Sequence, residues 1–492
     1  MIFTTISFFF FLVVVLSTYW SLSTNDWRQR FLFAANFFFY GWWNWKFTAL
    51  LFAVILISYV AGIFIQETST LSQKRKWIMQ AACTLLLGLL GYFKYANFFL
   101  TSLHTAIENL GGHLGWRTLE IILPAGISFY IFQAISYVVS VYRIKIPAEK
   151  EFIKLGVYLS FFPHLVAGPI IHASTFLPQL ESKRVFDSAR FVEGARKFAL
   201  GFLYKAVFAD NLAEPVNMIF SSLKNQSPLT IFGGCLGFYS QIYFDFAGYS
   251  LMAIGVANLL GYTLPDNFNF PYRATSLIDF WRRWHISLST WLRDYVYIPL
   301  GGNRCDHFSQ YRNIIITMFL GGLWHGASWN FVLWGGMHGI ALCVNHAYRN
   351  LRQKFGEPKN HFILSANENH NCPVAKRKSE HLSISACWLL TQGTIFCCWI
   401  PFRAATLSDT LFIFHQLGNL FFQTISSLAH ADSFPWLLAT LPLFFDMAGS
   451  QKLQERWSQR STMAVYGSII VALLIGFLFM HCGMVNFIYF QF

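Results

Sequence analysis

Charge is what this chain has least of. Only 12% of its 492 residues are Asp, Glu, Lys or Arg, about half of the roughly 25% usual in soluble domains. With 55% hydrophobic and 19% aromatic residues alongside, so little charge cannot cover a soluble surface and points to an integral membrane protein. Other chemistry is missing too. The nine cysteines are scattered without a C-x-x-C pair, so the sequence signals neither a metal site nor a redox couple. No H-x-x-x-H or H-E-x-x-H spacing occurs, which leaves zinc or haem without local support, and no G-x-S-x-G elbow suggests a serine hydrolase. The first apolar run has no basic region ahead of it and no A-x-A-like site behind it, so a retained helix is expected, not a cleaved signal peptide. No solenoid or inverted repeat stands out.

What is abundant is span-length apolar sequence. Runs able to cross about 30 Å of hydrocarbon fall at Phe3–Trp20, Phe31–Ile65, Ile78–Leu100, Ile121–Tyr142, Ile231–Gly261, Ile314–Tyr348, Ile384–Phe402 and Ala464–His481. Weaker ones fall at Leu155–Ile171, Phe198–Ala209 and Phe434–Phe445. GWWNWK at Gly41–Lys46 splits the second run in two. The expectation is an all-α polytopic protein of roughly 10–13 membrane-embedded helices, treated as one domain over residues 1–492, with a polar loop near 350–381. Arg28 and Arg30, then Lys74, Arg75 and Lys76, then Arg143, Lys145 and Lys150 follow alternate spans. The amino terminus is therefore expected outside and those loops in the cytoplasm. The net charge of +13 is assigned to this topology and to anionic lipid, and nucleic acid is not an expected partner.

Two regions break simple helix logic. In SFFPHLVAGPIIHASTF (Ser160–Phe176), Pro163 and Gly168–Pro169 predict a broken or re-entrant segment. In FWRRWHISLSTWLRDYVYIPLGGNR (Phe280–Arg304), Ser276 and Asp279 form a capping-box spacing, and Arg282, His285, Ser289 and Arg293 share a stripe at helical spacing. That pattern predicts one amphipathic, interfacial helix.

The strongest functional candidate is His325, in LGGLWHGASWNFVLWGGMHG (Leu320–Gly339), with no acidic or basic residue within ten positions on either side. A titratable ring at bilayer depth is costly unless it has a partner or a task. A neutral imidazole suits general base catalysis near neutral pH, such as transfer from an acyl donor already activated as a thioester. Trp324, Trp329 and Trp334 could exclude water from that donor. Gly322/Gly326 and Gly335/Gly339 have small-xxx-small spacing, which equally suits plain helix packing around a core histidine. Asp245, isolated in YFDFAGYS, could orient a histidine or an arginine, or belong to a buried structural ion pair. A transporter or channel using His325 and Asp245 for proton relay is the rival reading.

Taken together, FYGWWNWKF (Phe39–Phe47), FKYANFF (Phe93–Phe99), LPAGISFYIFQAISYVVSVYR (Leu123–Arg143), FFPHLVAGPI (Phe161–Ile170), the Asp245 segment, NFNFPYRATSLIDFWRRWHISLSTWLRDYVYIPLGGNR (Asn267–Arg304), the His325 segment, PFRA (Pro401–Ala404) and the terminal FIYFQF carry a likeness along nearly the whole chain. The chain resembles the membrane-bound O-acyltransferase family, in its bacterial branch of alginate O-acetylation, peptidoglycan O-acetylation and D-alanyl transfer. The resemblance implies a helical membrane fold with a thinned centre and a tunnel. It makes His325 the catalytic histidine and His285 the second signature residue. It further implies an acyl group, acetyl in this branch, moving from a cytoplasmic thioester (acetyl-CoA or an acyl carrier protein) across the inner membrane. The acceptor would be a hydroxyl on a periplasmic acetyltransferase partner or a polysaccharide, with D-alanyl transfer to teichoic acid the alternative. Arg282, Ser289, Asp245, Trp324, Ser328 and Asn330 are expected as donor-binding or supporting residues, with no metal. Leu251, where relatives often carry Asp or Asn, and His172, where they often carry Arg, depart from the family pattern.

Overall fold

The computed structural model describes residues 1–112, 119–354, 378–420 and 462–480. Most of the expected polar loop, the Phe434–Phe445 run and FIYFQF lie outside the described residues. Those described form helices and no strand, as expected for a chain whose polar backbone must be satisfied locally in lipid.

Helices α1 (Ile6–Ser21) and α2 (Asn25–Gly41) are each started by a threonine, Thr5 and Thr24, whose side chain accepts an amide of the first turn. The GWWNWK segment turns the chain between α2 and α3 (Lys46–Glu67). Next come α4 (Gln73–Leu90), a π-helical turn at Gly91–Tyr95 and α5 (Ala96–Asn109), which continue one another as a single long helical run. Helix α6 (Ile127–Tyr142) starts after Gly126, whose φ of 72° and contact with the Leu165 carbonyl leave no room for a side chain.

The proline-bearing segment is broken. Helix α7 (Phe152–Ser160), the single turn α8 (Phe162–Leu165) and α9 (Ala173–Glu181) are joined by non-helical backbone through Gly168–Ile171. Phe161 to Ile171 are buried throughout. Asn36 on α2 supports the break, its Oδ1 accepting the Phe162 amide at 3.0 Å. Irregular backbone in such a segment is tolerated because protein surrounds it.

Helices α10 (Ser188–Leu203) and α11 (Asp210–Ser221) flank α12 (Pro228–Leu259), whose apolar window is 89% buried, so α12 forms the protein's interior instead of facing lipid. The expected amphipathic helix at Phe280–Arg304 is instead two short helices, α13 (Leu277–Arg283) and α14 (Ile286–Leu292), followed by a π turn at Arg293–Tyr297. The run expected as one span at Ile314–Tyr348 is likewise two antiparallel helices, α15 (His307–His325) and α16 (Trp329–Lys354). Gly322 and Gly335 let these two touch: a Cβ on Gly322 would strike the Phe331 carbonyl, and one on Gly335 the Met318 carbonyl. Helices α17 (Lys378–Arg403), α18 (Leu407–Leu420) and α19 (Thr462–Leu478) complete the described fold.

By length and composition, four described helical runs can cross a membrane: Lys46–Glu67, Gln73–Asn109, Pro228–Leu259 and Ile384–Arg403. Ile6–Ser21, Ile127–Tyr142 and Ala464–Leu478 are shorter apolar helices. The Ile314–Tyr348 run thus supplies two embedded helices where one span was expected, because Gly326 ends α15 in extended backbone.

Candidate active site

His325 is the last residue of α15. Asp306 starts that helix, its side chain accepting the Ser309 amide at 3.0 Å. Gly326 ends it with an extended backbone, and the chain turns through Ser328, whose carbonyl accepts the Phe331 amide at 3.2 Å and so opens α16. The imidazole is 4% exposed. Trp324, Trp334 and Phe402 stand edge-on to it with centroids at 5.0, 5.0 and 5.1 Å. Such walls exclude water and fix the ring.

His285 lies behind Trp324, its ring centroid 5.7 Å from the indole and 6.4 Å from His325. It sits at the joint of α13 and α14 with φ 43° and ψ 53°, a left-handed conformation that is rare for a residue bearing a Cβ. That backbone is held by Asn267. The Asn267 Oδ1 is 3.1 Å from His285 Nδ1 and accepts from the Ser287 amide at 3.2 Å and the Ser287 hydroxyl at 2.9 Å. The Asn267 amide nitrogen donates in turn to Ser250 at 3.1 Å. Since Oδ1 can only accept, this assignment makes His285 Nδ1 the protonated nitrogen and leaves Nε2 as an acceptor. Among the described residues Nε2 has no protein hydrogen-bond partner. Ser287 also accepts the Ile170 amide at 3.0 Å, which pins the broken segment to the same hub.

The other expected site residues separate. Trp324 is buried between Phe129 and His285 and stays in the site. Arg282 does not share a helix with His285: it is exposed and lines a separate pocket of about 350 Å³ with Arg349, His346, Asn303 and Gln310. The Ser289 hydroxyl donates to the Trp284 carbonyl at 3.3 Å and so supports the α13–α14 joint. Asn330 is turned to the Ala404 carbonyl at 2.6 Å and to Thr410, tying α16 to PFRA and α18. Asp245 takes the ion-pair alternative: Lys205 Nζ lies 2.9 Å from Asp245 and 2.7 Å from Asp210, all three buried. At His172, where the family pattern often has arginine, the imidazole Nδ1 lies 3.2 Å from Ser136 and 3.4 Å from Tyr295. Among the described residues no group of three His, Cys, Asp or Glu side chains could hold a metal ion.

A cavity of about 540 Å³ reaches His325. Its walls include Thr5, Tyr40, Trp43, Lys94 and Trp324. Sequence reasoning passed over Lys94, although a lysine inside the Ile78–Leu100 run is itself an intramembrane charge of the kind that signals a site. Its ammonium donates to the Trp324 carbonyl at 2.5 Å and the His325 carbonyl at 3.2 Å, and the neighbouring Tyr95 hydroxyl donates to the Leu323 carbonyl at 2.8 Å.

The sequence model of the membrane-bound O-acyltransferase family matches residues 148–366. The chain is 42% identical to the probable alginate O-acetylase AlgI of Pseudomonas aeruginosa, over 92% of this chain and 81% of that one. It is 36% identical to the peptidoglycan O-acetyltransferase of Helicobacter pylori, over 80% and 74%. To the teichoic acid D-alanyltransferase of Streptococcus thermophilus it is 35% identical, over 46% and 58%.

Proposed function

Because this chain belongs to the membrane-bound O-acyltransferase family, we propose that it transfers acetyl from a thioester to an acceptor hydroxyl at His325, the two substrates arriving from opposite ends of the α15–α16 hairpin. The observation that carries this reading is the cavity that reaches the otherwise buried His325. It is lined by Met1, Thr5 and Trp43, from the end of the molecule where α1 begins and α2 finishes. The positive-inside pattern assigns that end to the periplasm, so it suits the acceptor.

The basic pocket of Arg282 and Arg349 is at the other end of the hairpin. Fifteen residues of α15 separate its Gln310 from His325, about 22 Å at 1.5 Å per residue. That end also holds Arg143, which reaches the Asp294 carbonyl at 3.4 Å and lies over Tyr295, so the same pattern assigns it to the cytoplasm. Two guanidinium groups suit the phosphates of coenzyme A or of a carrier protein's prosthetic arm. Between this pocket and His325 stand Trp281, His338 and Trp334, with successive ring centroids 5.1 and 4.7 Å apart. Among the described residues neither His338 ring nitrogen and neither indole N–H has a protein partner. Such a polar seam suits an amide-bearing arm.

In the reaction, His325 takes the hydroxyl proton as the oxygen attacks the thioester carbonyl; the C–O bond forms, the C–S bond breaks, and the proton passes to the departing thiolate. His285, with Nε2 turned to accept, orients a donor N–H or the acceptor beside it. The acceptor is a periplasmic partner protein or a cell-surface polysaccharide of the alginate or peptidoglycan kind, and the enzyme resides in the inner membrane. D-alanyl transfer is the weaker reading, since that relative matches less than half of the chain. The test supplies labelled acetyl-CoA to inside-out vesicles. His325→Ala is expected to lower acyl transfer by about 10²–10⁴-fold with the protein still folded in the membrane; full activity in that variant would remove the proposal.

A further inference from the structure

We infer that Lys94, with Tyr95 beside it, is a positioning residue for the transfer: the pair clamps the open carbonyl end of α15 and thereby fixes His325. This rests on the reading of His325 as the catalytic base. The last carbonyls of a helix lack intrahelical donors. In α15 the Gly326 amide still reaches the Gly322 carbonyl, but the backbone is then extended and the next helix starts only at Trp329. Three consecutive carbonyls, of Leu323, Trp324 and His325, are left to be satisfied from elsewhere. All three are taken by two adjacent side chains more than 200 residues away in sequence.

The π turn at Gly91–Tyr95 makes this possible. A π turn adds a residue to the helix circuit and redirects the side chains that follow it, so Lys94 and Tyr95 both address α15. A cation is also the favourable charge at a helix carboxyl end. An ammonium inside a span needs partners of its own; Lys94 finds them in the backbone of His325 and the residue before it, and 5.9 Å from the Trp324 ring centroid. Lys94 also lines the cavity that reaches His325. A lysine needed only for packing could use any carbonyl. This one is attached to the residue that performs the chemistry.

The test compares Lys94→Met, Lys94→Arg and Tyr95→Phe with wild type, as full-length protein in nanodiscs. Hydrogen–deuterium exchange without substrate is read over Leu320–Asn330, and kcat and KM for acyl transfer are measured in parallel. Lys94→Met is expected to raise exchange in that segment while leaving α10 and α12 unchanged. Its kcat should fall roughly 10- to 100-fold, since a misplacement near 1 Å can cost that much, with KM within about twofold. Arginine, which can also donate to two carbonyls, should restore most of the rate, and Tyr95→Phe should show a smaller effect of the same kind. The clamp is refuted by unchanged exchange with unchanged kcat, by arginine doing no better than methionine, or by a higher KM at constant kcat. If Lys94→Met does not accumulate, Tyr95→Phe carries the same comparison. A wild type that transfers nothing, with exchange still responding as described, removes the acyl-transfer reading and leaves the clamp standing.

Discussion

Replacing Asn267 with alanine should damage this site without touching either histidine. In the folded protein one carbonyl oxygen of Asn267 accepts from His285 Nδ1, the Ser287 amide and the Ser287 hydroxyl. The hydroxyl can turn to another acceptor, whereas the buried imidazole N–H and amide N–H lose the acceptor they share. Each stranded buried donor costs about 1–3 kcal/mol, so Asn267→Ala should lose about 2–6 kcal/mol. That is a large part of the roughly 5–15 kcal/mol that keeps a typical domain folded. Thermal or denaturant unfolding in nanodiscs measures the loss, and acyl transfer measured below the transition should fall with it. The second half of the test is a double-mutant cycle with His285→Ala. If the His285–Asn267 bond is the link, the two losses should fall short of additivity by on the order of 1–3 kcal/mol. An Asn267→Ala protein with wild-type stability and rate, or a cycle in which the losses simply add, would refute the hub.

Two more outcomes follow from charged groups. Lys205→Met leaves the buried Asp210 and Asp245 facing each other without their ammonium and should cost about 3–5 kcal/mol in unfolding experiments; adding Asp210→Asn and Asp245→Asn should recover much of it, and an additive further loss would contradict the ion-pair account. Asp306, at the start of α15, is held below its usual carboxyl value of 3.8, first by the Ser309 hydroxyl and then by the Ser309 amide. Because its folded value is the lower one, its contribution is present above pH 3.8 and is lost as pH falls through that lower value. Asp306→Asn keeps the cap and should flatten this part of the acid-unfolding curve; an unchanged curve would count against it.

Part of the candidate site was legible in one dimension. His325 announces itself because no charge lies near it in a long apolar run, and Pro163 with Gly168–Pro169 announces a break because proline removes an amide donor and disfavours helix before it. The stripe of Arg282, His285 and Ser289 misled for a definable reason. Periodicity assumes that a helix continues, but at His285 the helix stops in a left-handed turn whose support comes from Asn267, eighteen residues earlier. A left-handed histidine costs about 1–3 kcal/mol locally, and no local pattern shows that a distant amide offsets it.

By itself, then, the sequence determined that this is a helical membrane protein with a histidine inside an apolar run, because hydrophobic run length and the cost of a buried polar ring are local properties of the chain. Only the tertiary structure decided which groups meet that histidine. Lys94 reaches the His325 carbonyl across 231 positions, and Lys205 joins Asp245 from a different helix. Both contacts satisfy charges that lipid would not solvate, and such charges are matched wherever the packed helices bring donors and acceptors together, at separations that a linear reading has no means to see.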